Sequence, residues 1–236
     1  VYNRKTFDLL LAVPVSMTTG YENQMRNVGS MVNRGVELSL ATTVINSDKF
    51  NWVSTLTFAR NHNEILDLYG SDTIIVSTKI RTVGQALQTF YLAEWAGVNS
   101  ADGSPMWYDE NGNLTKDYNQ ARKVIAGNAD PKFTAGWTNN LTYGNWALNF
   151  MFYCSYGNLI FNQLNNELIS DGATTELNQS ATAMDYWKQP GDNASNPKVV
   201  QNNGSNSNRF STRYLEDGSY IRLKNIQLSY TLPSQA

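Results

Sequence analysis

The sequence is short of the residues that most often carry chemistry. It has one cysteine, Cys154, and one histidine, His62, among 236 residues. A lone cysteine excludes an intrachain disulfide and any cysteine-based metal site. A lone histidine excludes the paired-histidine zinc motifs. Cys154 falls in an apolar strand face, where a thiol behaves as a small hydrophobe. His62, set between Asn61 and Asn63, reads as a polar strand end. The run Asp109-Glu110-Asn111-Gly112-Asn113 starts like a calcium loop, but its glycine comes too early and no glutamate closes it, so it reads as a tight turn. Nucleophile elbows and phosphate-binding glycine loops are missing. Nothing brings Asp8, Glu37 and Asp217 together as an acid pair. No catalytic residue, metal or cofactor is expected.

Charge is scarce too. Charged residues make up 16% of the chain and the formal net charge is −2, which leaves no basic footprint for nucleic acid. There is no run of about 18 apolar residues, hence no transmembrane helix. A transmembrane strand needs only about 9–11 alternating residues, so the negative mean hydropathy does not exclude a membrane barrel. No signal peptide is recognised. The chain opens and closes in strand-like segments and reads as a piece of a longer protein.

What the sequence has is alternation. Six stretches read as β-strands: Val1–Leu11, Met31–Ile45, Asn51–Asn61, Lys132–Tyr143, Trp146–Gly157 and Ser219–Leu232. In the fifth, Trp146, Leu148, Phe150, Phe152, Cys154 and Tyr156 share one face, opposite Asn149, Tyr153 and Ser155. In the fourth, Trp137 and Leu141 oppose Thr138 and Asn140, but Asn139 interrupts the apolar face. In the last, Leu228 and Tyr230 oppose Gln227, while Arg222 and Lys224 fall on the apolar side, as though that end left the lipid. Phe7, Leu9 and Leu11 share a face of the first strand, whose two sides are less distinct.

The connections are one-sided. Asn46–Phe50 and Gly144–Asn145 are short turns, whereas residues 12–30, 62–131 and 158–218 are long. In an up-and-down meander this puts every short turn at one end and every long loop at the other, as in outer-membrane barrels. A polar second face can be the lumen of a barrel or the wet side of a soluble sheet, and periodicity alone does not separate these. The loop asymmetry favours the barrel. The rival is a secreted β-sandwich that binds carbohydrate. On the barrel reading, Trp146, Leu148, Phe150, Phe152, Leu228 and Tyr230 face lipid, and Thr138, Asn149 and Gln227 face the lumen. The loop aromatics Trp95, Trp107, Tyr108, Tyr186 and Trp187 are candidates for contacting ligand or partner. They could equally anchor the loops' own small cores.

Several motifs then come in a telling order: Asn33-Arg34-Gly35-Val36-Glu37-Leu38, Asn61-His62-Asn63-Glu64-Ile65, Gly97-Val98-Asn99 with Gly103, and Tyr108–Gly112. Gly127–Phe133, Trp187–Asp192 and Asp217–Asn225 follow, with Leu228–Pro233 behind. Together they resemble the SusC/RagA family of TonB-dependent outer-membrane transporters. The resemblance implies an all-β fragment, residues 1–236, of a 22-stranded barrel, lacking the plug domain and the first and last strands. It implies a nutrient importer in the bacterial outer membrane. Its expected partners are a SusD-like surface lipoprotein, TonB–ExbB–ExbD acting through a missing N-terminal region, outer-membrane lipid, and a glycan or peptide ligand.

Overall fold

The computed structural model describes residues 1–27, 29–70, 73–174 and 176–233, apart from the side chain of Pro14. In chain order the elements are β1 (Tyr2–Phe7), β2 (Leu10–Pro14), β3 (Asn23–Asn27), β4 (Ser30–Asn46), β5 (Phe50–Asp67), β6 (Thr73–Val76), β7 (Lys79–Thr82), β8 (Thr89–Ala93) and β9 (Trp95–Val98). They continue with β10 (Pro105–Tyr108), β11 (Leu114–Thr115), β12 (Lys123–Asn128), β13 (Phe133–Tyr143), β14 (Trp146–Tyr156), β15 (Leu159–Phe161), α1 (Gln163–Leu168), β16 (Leu215–Asp217) and β17 (Tyr220–Tyr230).

One six-stranded sheet, ordered β1-β4-β5-β13-β14-β17, carries all six predicted strands, and every adjacent pair is antiparallel. It is a meander whose intervening excursions form smaller sheets. Gly144 takes φ 55°, the left-handed value that a two-residue hairpin loop needs at its first central position. Its N–H donates to the Lys49 carbonyl at 3.1 Å. The two short turns therefore lie side by side at one end of the sheet, as the loop lengths predicted.

The register fixes the faces. Adjacent strands set Leu40, Leu56, Trp137, Phe152 and Leu223 in one row across the sheet. The row nearest the turns holds Phe50, Tyr143, Trp146 and Tyr230, with the last two rings 4.7 Å apart. The opposite face carries Thr55, Thr138, Met151 and Asn225 in one row and Val53, Asn140, Asn149 and Gln227 in the next. Its amides form a chain: Asn225 Nδ2 donates to Asn149 Oδ1 at 2.9 Å, and Asn149 donates in turn to Asn140. Leu38 and Leu228 on the apolar face remain 54% and 65% exposed, so no second layer among the described residues covers that face. This removes the sandwich, whose sheets must pack face to face.

Asn139 has a physical account. It is fully buried in the apolar face, and its Oδ1 accepts from Trp52 Nε1 at 2.9 Å. Beside it, Trp137 Nε1 donates to Ser54 Oγ at 2.9 Å. Both indole N–H groups thus find polar partners within the apolar face, while Asn139 Nδ2 stays buried with no partner among the described residues.

Three sequence readings need correction. The first strand does not reach Leu11. Asp8 adopts φ 56° and the chain leaves the sheet. Leu10–Pro14 then pairs with Asn23–Asn27 as a separate hairpin, and Leu11 and Val13 pack against Ile65, Leu68 and Ile74. The third strand does not stop at Asn61 but runs 18 residues to Asp67. Polar alternation carries it on, because Asn61 and Asn63 both donate to Asn33 Oδ1 across the β4–β5 pair. In the last strand, the register shifts between Asn225 and Leu223, leaving Lys224 as an extra residue. This β-bulge flips the phase. Ile221 and Leu223 join the apolar face opposite Cys154 and Phe152, while Arg222 pairs opposite Tyr153. The Lys224 ammonium sits 5.5 Å from the Tyr153 ring, on the polar side.

Candidate functional site

The candidate site is the set of long excursions at the end opposite the short turns. The first, residues 68–132, folds into two small sheets, β12-β8-β7-β6 and β11-β10-β9. Asn63 reaches from the polar face of β5 and accepts from the Leu87 N–H at 2.8 Å, which ties this excursion to the wall. The Asp102 carboxylate closes the β9–β10 turn by accepting from the Ser104 N–H. The Lys116 ammonium, 2.5 Å away, is the main reason its pKa is lowered to about 2.

The second excursion holds α1 and the β15–β16 pair around a polar centre. Asp171 and Arg213 form a two-pronged ion pair at 2.5 and 3.1 Å, with both side chains buried. Arg213 also donates to the Ser207 carbonyl and to Asn196 Oδ1. Ser207 Oγ donates to Asp171 Oδ2 at 2.6 Å. Every strong charge in this centre therefore has partners, as burial requires. Burial also pushes the Tyr214 phenol up from its ordinary value.

The two excursions are sewn together. The Arg213 guanidinium lies 5.1 Å from the Trp95 ring, and the Trp95 N–H donates to Thr212 Oγ1. Tyr118 Oη donates to the Phe210 carbonyl, and the Lys198 N–H to the Gly103 carbonyl. Trp187 Nε1 donates to the Ser100 carbonyl at 2.9 Å. Its ring rests on Gly103, where any Cβ would stand 2.5 Å from the indole. A glycine is required there for the close approach.

The predicted aromatics divide accordingly. Trp107 is fully buried, edge-on to Trp95 at 5.5 Å and to Tyr118 at 5.6 Å. It offers no surface to a ligand in this arrangement and anchors the loop core instead. Trp95 and Trp187 are half-buried at the seam between the excursions. Tyr108 carries the Arg122 guanidinium 5.6 Å from its ring, and Tyr186 carries the Lys188 ammonium at 5.1 Å; both are half-buried. These two tyrosines keep outward surface. Asp171, Arg213, Asn196 and Ser207 were not picked out from the sequence. No motif marks them, and residues 193–208 are almost purely polar. Among the described residues no group of acids, histidine and cysteine could hold a metal ion.

Comparisons with known proteins decide the class of barrel. No family model matches the chain. TonB-dependent receptor P26 of Formosa agariphila is 33% identical over 98% of the chain. TonB-dependent receptor SusC of Bacteroides thetaiotaomicron is 28% identical, again over 98% of the chain. The solved RagAB peptide transporter superposes on 98% of the chain with a TM-score of 0.83 and 28% identity. Along nearly its whole length the chain is similar to part of TonB-dependent receptors of the SusC and RagA kind. Such receptors are outer-membrane barrels and not enzymes, and the chain is assigned to the outer membrane. It spans 25% of the length of the P26 receptor and 26% of the RagAB chain, so its open sheet corresponds to part of a SusC/RagA-type wall.

Proposed function

We infer that this chain forms wall and rim of a TonB-dependent importer that takes up glycans or oligopeptides together with a SusD-like surface lipoprotein. The observation that carries the reading is the match to RagAB, a peptide transporter, across 98% of the chain. The meander and its one-sided loops support it. On this reading residues 1–236 are a fragment of the barrel domain. The plug and the region engaging TonB–ExbB–ExbD belong to sequence outside it. Trp146, Leu148, Phe150, Phe152, Leu228 and Tyr230 meet lipid, and the Asn140–Asn149–Asn225 amides face the lumen. Ligand would be held between rim and lipoprotein, and the stitched excursions supply the receptor's share of that surface through Tyr108, Tyr186 and the outer faces of Trp95 and Trp187.

The test is deletion of the full-length receptor gene in its host, with growth measured on defined glycans and on oligopeptides as sole source. Loss of growth on one class, restored by the wild-type gene, is expected. Unchanged growth and uptake on every polymer tried, with the lipoprotein failing to co-purify, would overturn the reading.

A further inference from the structure

The polar face of the sheet carries a trough of about 380 Å³ between β4 and β14. The side chains bordering it on that face are Glu37, Ser39, Thr57, Ala59, Thr134 and Tyr153. The register sets them in two neighbouring rows. Glu37, Ala59, Thr134, Ser155 and Tyr220 form one row, and Ser39, Thr57, Gly136, Tyr153 and Arg222 form the other. The middle is hollow because its side chains are small. Gly136 is buried there, and a Cβ on it would stand 2.7 Å from Thr57 Oγ1. The two ends carry charges of opposite sign. At one end Glu37 is exposed and makes no ion pair among the described residues. At the other, two cations flank two phenols. The Arg222 guanidinium lies 4.9 Å from the Tyr220 ring, the Lys224 ammonium 5.5 Å from the Tyr153 ring, and the two rings are 6.0 Å apart. Neither cation meets an acid among the described residues. Between the ends, the Ser39 and Thr134 hydroxyls make no hydrogen bond among the described residues.

We propose that this trough holds a short peptide with free termini, laid across the strands, its carboxylate on Arg222 and Lys224 and its ammonium on Glu37. The inference rests on the importer reading, with the polar face as lumen, and narrows the ligand of that reading from glycan or peptide to peptide. Four interstrand spacings, about 19 Å in all, separate β4 from β17. Side-chain reach at both ends shortens the gap to roughly 12 Å, which an extended chain of about four residues spans. A carboxylate accepts charge-assisted hydrogen bonds from a guanidinium and from an ammonium alike. The tyrosine rings beside the cations give the last side chain of the peptide an apolar platform. The free hydroxyls between the ends can serve peptide N–H and C=O groups without reading sequence. The small floor leaves room for varied side chains. A neutral glycan would leave both charged ends unused, and an acidic one would be repelled by Glu37.

The experiment measures binding to the full-length receptor, purified in mild detergent, by isothermal titration calorimetry. The probes are tetra-alanine with free termini, its N-acetylated and C-amidated forms, and the neutral tetrasaccharide maltotetraose. Wild type, E37Q and R222Q/K224Q are compared, each checked for assembly by heat-modifiable gel mobility. Wild type should bind free tetra-alanine, and either variant should bind it about tenfold more weakly. N-acetylation should weaken binding to wild type by the same factor and leave E37Q no worse. Amidation should do the same for R222Q/K224Q. A general loss of structure would not match each charge to one terminus. Where a variant fails to assemble, the blocked peptides on wild type decide alone. Equal binding of free and blocked peptides by wild type would overturn the proposal. So would equal binding of free peptide by all three receptors, or maltotetraose bound more tightly than tetra-alanine. Growth of the host is read in parallel. Receptor-dependent growth on glycans with no peptide binding sinks the trough and keeps the importer, whereas neither binding nor receptor-dependent growth sinks both.

Discussion

Phe150 and Asn149 are neighbours in sequence and lie on opposite faces of β14. Phe150 pairs opposite Ile226 beside the Trp137 ring, while Asn149 sits within the amide chain of the polar face. A lysine on the lipid face near the middle of the band costs about 2–4 kcal/mol, and one facing water costs far less. Phe150→Lys should therefore reduce the heat-modifiable, assembled form of the full-length receptor, while Asn149→Lys leaves it near the wild-type level. Equal assembly of the two variants would count against the assigned faces. At this scale alternation made most of the sheet legible. The exceptions share a cause, since each involves a side chain whose neighbour comes from another strand. Asn139 looked misplaced because its donor, Trp52, is 87 positions away. Arg222 reads as lying on the apolar side, where that end would leave the lipid, because a one-residue bulge has no signature in hydropathy.

Strands were easier to read than excursions. The boundaries of β13 and β14 follow from their own periodicity and from the turn between them. The interior of 158–218 does not, because it folds around Asp171 and Arg213, 42 positions apart, rather than around apolar residues. A stretch with few apolar side chains reads as solvated chain unless its long-range polar partners are known. The clamp has a measurable weight. Removing one member of a buried ion pair leaves the other charge uncompensated and costs about 3–5 kcal/mol, whereas replacing both by apolar residues of similar size is often close to neutral. Arg213→Ala should make the excursions of the assembled receptor sensitive to limited proteolysis at the cell surface, and the Asp171→Leu, Arg213→Met pair should largely restore resistance. Resistance unchanged in Arg213→Ala would show that the pair does not hold the excursions. Trp107→Ala empties the other anchor. It should cost about 3–5 kcal/mol, as large aromatic truncations in a packed core do, and loosen the first excursion in the same assay. An unaltered cleavage pattern would contradict the burial of that ring.

As a whole, the 236-residue chain exposes what a closed barrel would hide. Strands β1 and β17 stand at the margins of an open sheet, and the apolar face has no cover. Unpaired strand edges and a wide apolar surface both favour association between copies. Expressed alone in plain buffer, this stretch should aggregate. Reversible, cooperative unfolding of a monomer by urea would refute that. The stitching of the two excursions also has a kinetic consequence. The β4–β5 and β13–β14 hairpins join residues close in sequence, whereas the β5–β13 seam and the Trp95–Arg213 contact close very large loops, and distant closures come late. On the proposed reading the hairpins form first, the seam then joins them into one wall, and the clamp is fastened last. A receptor carrying Arg213→Ala should accordingly insert as fast as wild type and differ only in how firmly its outer surface is locked afterwards.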